Sequence, residues 1–150
     1  MKRIFLMVLF TSFVLFLASC SSRTSLTAYE FTSCMTNAGH VVEDVTAEFS
    51  TDGVVSFHVA DCNTFNVEFI VYETESQAIQ VFNNFRQMFR DSRGNTSSYR
   101  EANLANYNRY LQISAGQFSF VSRIDNSVVI MVINADNRDA ADAVIELLGY

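Results

Sequence analysis

The stretch from Phe65 to Arg90 constrains the chain most, because its hydrophobic period changes once and abruptly. Phe65, Val67, Phe69 and Val71 alternate with Asn66, Glu68, Ile70 and Tyr72, the period of two expected of a strand with one buried face. Thr74-Glu75-Ser76-Gln77 then has the form of a capping box, in which Thr74 accepts from the Gln77 amide and Gln77 reaches back. Ala78, Ile79, Val81, Phe82, Phe85, Met88 and Phe89 follow at spacings of three and four, with Arg86 and Arg90 on the polar side. The phenylalanine stripe is read as core; the alternative is the wall of an apolar ligand pocket.

Met1-Lys2-Arg3 is a basic head, Ile4 to Phe16 an apolar run, and Leu17-Ala18-Ser19-Cys20 a small-residue cleavage site ending in cysteine. The run is shorter than the roughly 20 apolar residues a membrane-spanning helix needs, and Thr11 and Ser12 interrupt it. Leu17-Ala18-Ser19-Cys20 resembles the lipobox of bacterial lipoproteins. The resemblance implies a signal peptide over residues 1–19, cleavage before Cys20, and a diacylglyceryl anchor on the Cys20 thiol. Two acyl chains hold a protein on a membrane where one does not. The expected place is therefore the extracytoplasmic face of the cell membrane, or an outer membrane where the cell has one.

Cleavage leaves 131 of the 150 residues, enough for one domain and too few for two. Loss of Lys2 and Arg3 takes the basic residues from 10 to 8 against 16 acidic ones, a net charge of -8. That balance argues against nucleic acid as a partner. Residues 20–25 form a short tether and 26–150 the domain; five extended residues reach at most about 17 Å, so the domain sits close to the membrane.

Thr27-Ala28-Tyr29-Glu30 is a second capping box and opens a helix over 28–38, with Phe31, Met35 and Ala38 inward and Gly39 at its end. Val45, Ala47 and Phe49 alternate with polar residues, as do Val55, Phe57 and Val59. A three-residue Thr51-Asp52-Gly53 loop would pair Phe49 with Val55, Ala47 with Phe57 and Val45 with Val59. A three-residue Cys62-Asn63-Thr64 loop would pair Phe57 with Phe69 and set His58 opposite Glu68 on the outer face. Downstream, Ala115-Gly116 and Asp125-Asn126 are two-residue turns between apolar strands, and Asp136 caps a last helix with Ala140, Ala143, Val144 and Leu147 inward.

The expected fold class is α+β, an antiparallel sheet with helices on one face, in the order α-βββ-α-βββ-α. A shift of 62 residues lays Val67, Phe69, Val71, Thr74, Ala78, Phe82 and Phe85 on Val129, Met131, Ile133, Asp136, Ala140, Val144 and Leu147. Internal duplication and coincidence both account for it. The element order, with Leu148-Gly149-Tyr150 following Ser122-Arg123-Ile124-Asp125-Asn126-Ser127, resembles small extracytoplasmic lipoproteins of Gram-positive bacteria, which supports location and fold class and carries across no functional residue.

Three constellations bear on chemistry. Cys34 and Cys62 are an even pair in an exported domain, which favours a disulfide whose closure of about 28 residues would stabilise the fold by roughly 3 to 4 kcal/mol. The alternatives are two free thiols, or Cys62 as a nucleophile with His58 or His40 as base and Asp61 nearby. The histidines and cysteines lack zinc spacing, so neither a metal nor a cofactor is expected. Arg86, Arg90, Arg93, Arg100 and Arg109 are five of the eight arginines left after cleavage, within 24 residues. Guanidinium forks suit phosphate and carboxylate, making this region the candidate ligand-binding surface, against the plain alternative of a solvated face. The functional expectation is a membrane-anchored binding or accessory module for an envelope or membrane protein or an anionic ligand. The competing one is a small envelope hydrolase or thiol enzyme using Cys62 and His58.

Overall fold

The computed structural model describes residues 23–49, 53–95 and 97–150; the leader and Cys20 lie outside them. Both capping boxes form. Thr27 opens α1 (Ala28–Asn37), with Glu30 Oε2 accepting from the Thr27 amide at 2.8 Å. Thr74 opens α2 (Glu75–Asp91), with Gln77 Oε1 accepting from the Thr74 amide at 3.0 Å. The strands are β1 (Val41–Asp44), β2 (Val54–Asp61), β3 (Asn66–Tyr72), β4 (Ser98–Asn103), β5 (Tyr107–Ser114), β6 (Gln117–Ile124) and β7 (Ser127–Asn134). A short 3-10 turn (Ala135–Asn137) leads into α3 (Arg138–Leu148).

Among the described residues the fold is α+β: one antiparallel sheet of seven strands in the order β1-β2-β3-β7-β6-β5-β4, with three helices. β4 is one strand more than the sequence suggests. Its residues, Ser-Tyr-Arg-Glu-Ala-Asn, carry no apolar alternation, because it is an edge strand paired only with β5 and exposed along most of its length.

The helices occupy both faces of the sheet, not one. Val67, Phe69, Phe118, Phe120, Val129 and Met131 pack with Phe31 and Met35 of α1 and Ala141, Ile145 and Leu148 of α3. Their strand neighbours Ile70, Tyr72, Val121, Val128 and Ile130 pack with Ala78, Phe82 and Phe89 of α2. Adjacent residues of a strand point to opposite faces, so two clusters divided in this way lie on opposite sides. Both faces of β3 and β7 are therefore buried.

Two burying faces remove the parity rule on which strand register was expected to turn. Between β2 and β3 the connection is Cys62-Asn63-Thr64-Phe65, closed by the Cys62 amide donating to Phe65 O at 2.9 Å, with Asn63 left-handed at φ 66°. The register slips by one: Phe57 faces Ile70 and His58 faces Phe69, while Glu68 faces Val59. His58 is thereby buried, with Phe31 nearby, and the acidic residue opposite it is Asp44 of β1, not Glu68. The β1–β2 register differs by two, Glu43 facing Val59 and Val41 facing Asp61. β1 stops at Asp44 because its carboxylate accepts from the Thr46 amide at 3.0 Å, and Thr46 Oγ1 takes the Phe57 amide at 2.8 Å. Val41 is exposed, Val42 faces the core instead, and Phe49 lies half-exposed against the Phe57 ring. Thr51 and Asp52, expected at the tip of that hairpin, lie outside the described residues.

The Ala115-Gly116 and Asp125-Asn126 turns form as expected, with Ser114 opposite Gln117 and Ile124 opposite Ser127. Left-handed backbone at Ala115 (φ 51°) and Gly116 (φ 79°) suits the twist of a two-residue hairpin. α3 is turned relative to expectation: Ala141, Val144, Ile145 and Leu148 are buried, while Ala140, Ala143 and Leu147 are exposed. The last helical segment begins with Asn134 accepting from the Asp136 amide, so Asp136 is not the cap. The 62-residue offset holds for the strand residues, which share a face, but α2 and α3 pack on opposite faces. A twofold relating the antiparallel pair β3 and β7 would put both helices on one face. The repeat is thus not a symmetry of the fold.

Phe69 stands at the centre, fully buried, stacked on Phe31 at 4.6 Å and edge-on to Tyr150 at 6.4 Å. Replacing it by alanine should cost about 3–5 kcal/mol. Urea unfolding followed by circular dichroism measures this, and a loss below about 1 kcal/mol would mean that the centre of the core lies elsewhere.

Candidate functional site

The arginine-rich segment does not make one surface. Alternation along β4 sends Tyr99 and Glu101 to the α2 side and Arg100 to the α3 side. On the α2 side, Arg86 pairs with Glu101 at 3.0 Å and Arg93 donates to the Tyr110 hydroxyl while lying 3.9 Å over the Tyr99 ring. Both guanidinia are engaged, although Arg86 Nε has no hydrogen-bond partner among the described residues. Arg90, exposed in the last turn of α2, suits the negative end of the helix.

Arg100 and Arg109 instead reach the opposite face and, with Arg23, line a cleft of about 420 Å³ between the β4–β5 edge and α3. Asp142, Glu146 and Tyr150 form its other wall. Arg23 is held firmly for a residue of an expected tether. Its Nη1 donates to Gly149 O at the end of α3 (2.8 Å), its guanidinium lies 4.1 Å over the Tyr107 ring, and its own carbonyl accepts from Asn106 Nδ2 at 2.7 Å. Arg109 lies over the Phe120 ring at 5.3 Å. Asp142 is engaged by Arg138 at 3.2 Å, one helical turn before it. Neither Arg100 nor Arg109 pairs with a carboxylate among the described residues. Sequence reasoning found two of these three arginines; Arg23, Asp142 and Glu146 carried no signal, being far apart in the chain.

One further charge escaped notice. Arg123, on β6, is 1% exposed and yet fully satisfied: Nη1 bridges to Glu75 at 2.7 Å and to Asp125 O at 2.9 Å, and Nε donates to Asn108 at 2.7 Å. It ties the first turn of α2 to the β6–β7 turn, a structural role.

The thiols lie apart from the arginine cleft. Cys34 and Cys62 are both free in the structure; Cys34 Sγ faces Leu147 O at 3.8 Å, and Cys62 is buried. Cys62 and His40, with Phe65, Ala143 and Leu147, line a second cleft of about 290 Å³. His58 points along the same face as Cys62, but four residues of strand separate them by about 13 Å, beyond hydrogen-bond reach. His40 Nδ1 has no hydrogen-bond partner among the described residues. Burial first, and the neighbouring Asp61 charge second, push the Cys62 thiol up to about 11. A nucleophilic cysteine needs the reverse, a depressed value next to a base or cation.

The two clefts flank α3 on opposite sides, Asp142, Ile145 and Glu146 lining one and Ala140, Ala143, Val144 and Leu147 the other. Arg23, Asn106 and the Asp125-Asn126 turn gather at one pole, where Asn106 O accepts from the Asp125 amide and Asn126 O from the Tyr72 amide, both at 2.9 Å. The Cys62–Phe65 connection closes the other pole, about 23 Å away along β3. Among the described residues no helix is long and apolar enough to cross a membrane, and no three His, Cys, Asp or Glu side chains are grouped to hold a metal ion. No protein-family model matches the chain and no curated protein is significantly similar to it. Among the described residues, fold and clefts define an α+β protein with one seven-stranded antiparallel sheet, a two-signed polar cleft on one side of α3 and an apolar one on the other.

Two measurements check the thiol environment. At pH 8, Cys62 in the native chain should react with iodoacetamide about a hundredfold or more slowly than in urea, read by peptide mass spectrometry; equal rates would show an activated or exposed thiol. Burial likewise holds the Tyr150 hydroxyl up to about 12. Both groups are more readily deprotonated in the unfolded chain, so their contribution to stability is complete below about pH 8.5 and is lost as pH rises through about 11 and 12. Unfolding midpoints taken from pH 8 to 12 should fall accordingly, and a flat profile would refute the assignment.

Proposed function

We propose that the chain is a lipoprotein of the extracytoplasmic membrane face, anchored by a diacylglyceryl group on Cys20, which acts as a binding or accessory module for an envelope or membrane partner or an anionic ligand. The observation that carries this reading is the seating of Arg23. Only Ser21 and Ser22 separate Cys20 from Arg23, whose guanidinium is fastened to Gly149 O and Tyr107, so the Cα atoms of Cys20 and Arg23 lie at most about 11 Å apart. A lipid on Cys20 would hold the Arg23 pole against the headgroups and turn the Cys62 pole outward. The cleft of Arg23, Arg100 and Arg109 is then the surface first met by an anionic group at the membrane. Arg86, Arg90 and Arg93 face the other side of the sheet and are secondary to it.

Cells expressing the chain and fed an alkyne-tagged palmitate should label it, and the intact mass should correspond to cleavage before Cys20 plus the lipid. Cys20→Ala should abolish labelling and leave the precursor uncleaved. Absence of label on the unaltered chain would sink the anchoring.

A further inference from the structure

We infer that the cleft between α3 and the β4–β5 edge takes a zwitterion of the phosphoethanolamine type, the headgroup of a phospholipid in the anchoring membrane. The charges of the cleft are of both signs and are segregated. Arg23, Arg100 and Arg109 come from the tether and the sheet edge, and Asp142 and Glu146 from α3 across the gap. The C-terminal end of α3, where Gly149 ends the helix, adds its partial negative charge to the carboxylate wall.

Simple ions satisfy this arrangement badly. A phosphate alone gains guanidinium forks but meets two carboxylates, and an amine alone meets three arginines. A ligand with an anionic phosphate and an ammonium a few bonds apart places each charge against its complement. The groups needed are free: Arg100, Arg109 and Glu146 have no ion-pair partner among the described residues, and Arg23 commits only Nη1 to Gly149. The volume of about 420 Å³ lies within the usual range for small-ligand sites.

The choice of a lipid over a soluble zwitterion rests on the anchoring proposed above, which holds this pole at the bilayer surface. The charge selectivity of the cleft does not.

The test uses the full chain purified in an uncharged detergent, with arginine Nε–H signals followed by nuclear magnetic resonance during titration. O-phosphoethanolamine should shift Arg23, Arg100 and Arg109 saturably and leave Arg86 and Arg90 unmoved, binding at least about tenfold more tightly than inorganic phosphate. Arg109→Gln should weaken it about tenfold or more. Glu146→Gln should bind phosphate at least as tightly as the unaltered chain and shrink the preference for the zwitterion, a result that loss of fold would not produce. No saturable shift, or equal affinity for phosphate and O-phosphoethanolamine in the unaltered chain, would overturn the inference. In nanodiscs the same signals should shift with phosphatidylethanolamine and not with phosphatidylglycerol; binding of the soluble probe without that difference would overturn the lipid source. The intact mass of the same sample reads the anchor separately. A chain without lipid that still selects O-phosphoethanolamine would refute the anchoring and leave the charge selectivity standing.

Discussion

The structure depends on the central antiparallel pair of β3 and β7. Phe69 faces Val129 and Ile70 faces Val128, so consecutive residues of both strands are apolar and each needs a cover on its own side. A single layer of helices would leave one row in water. At about 1.5–3 kcal/mol for burying each large apolar side chain, neither row can be left exposed in a domain of this size. α1 and α3 cover one row and α2 covers the other. The flanking strands follow: β2 and β6 continue the two apolar layers outward, while β1 and β4 close the edges with polar, exposed strands.

That arrangement also decides where charge can lie. Arg123 is buried in the α2 layer only because Glu75, Asn108 and the Asp125 carbonyl surround it, so it rigidifies one pole and offers nothing to a ligand. On the α3 side the sheet extends beyond the helix to Arg100 and Arg109, and the gap between edge strand and helix becomes the polar cleft. Arg23 closes that gap by capping α3, which couples the path of the tether to the shape of the site. The apolar cleft on the other side of α3 has a different origin: the apolar arc of α3 is wider than the core can cover, leaving Ala140, Ala143 and Leu147 beside Cys62.

Local signals were legible wherever they act within a few residues. Both capping boxes, the two-residue turns at Ala115-Gly116 and Asp125-Asn126, and the strand-to-helix switch at Thr74 were readable in full, because each needs only neighbouring backbone and side chains. Register was not. The parity argument presumed one buried face, and once both faces are buried a one-residue slip costs no burial, so the geometry of the Cys62–Phe65 connection chooses instead. The face of α3 failed for a related reason, since the apolar residues from Ala140 to Leu148 spread over about half of the helix circumference and so offer two acceptable stripes. β4 was invisible because an edge strand needs no hydrophobic pattern.

By itself, the sequence determined the class of fold, the places where the first two helices begin, the acidic balance, and the lipobox-like cysteine ahead of the domain. These follow from short-range hydrogen bonding, hydrophobic period and composition. Only the tertiary structure decided which arginines share a surface, that His58 is buried, and that Arg23, Arg100 and Arg109 face Asp142 and Glu146 across one cleft. Neighbours in sequence at β4 point to opposite faces of a sheet covered on both sides, whereas residues more than a hundred positions apart, Arg23 and Gly149, are joined by a hydrogen bond. Proximity of that kind is set by how the helices divide between the two faces, and the local pattern of the chain contains no term for it.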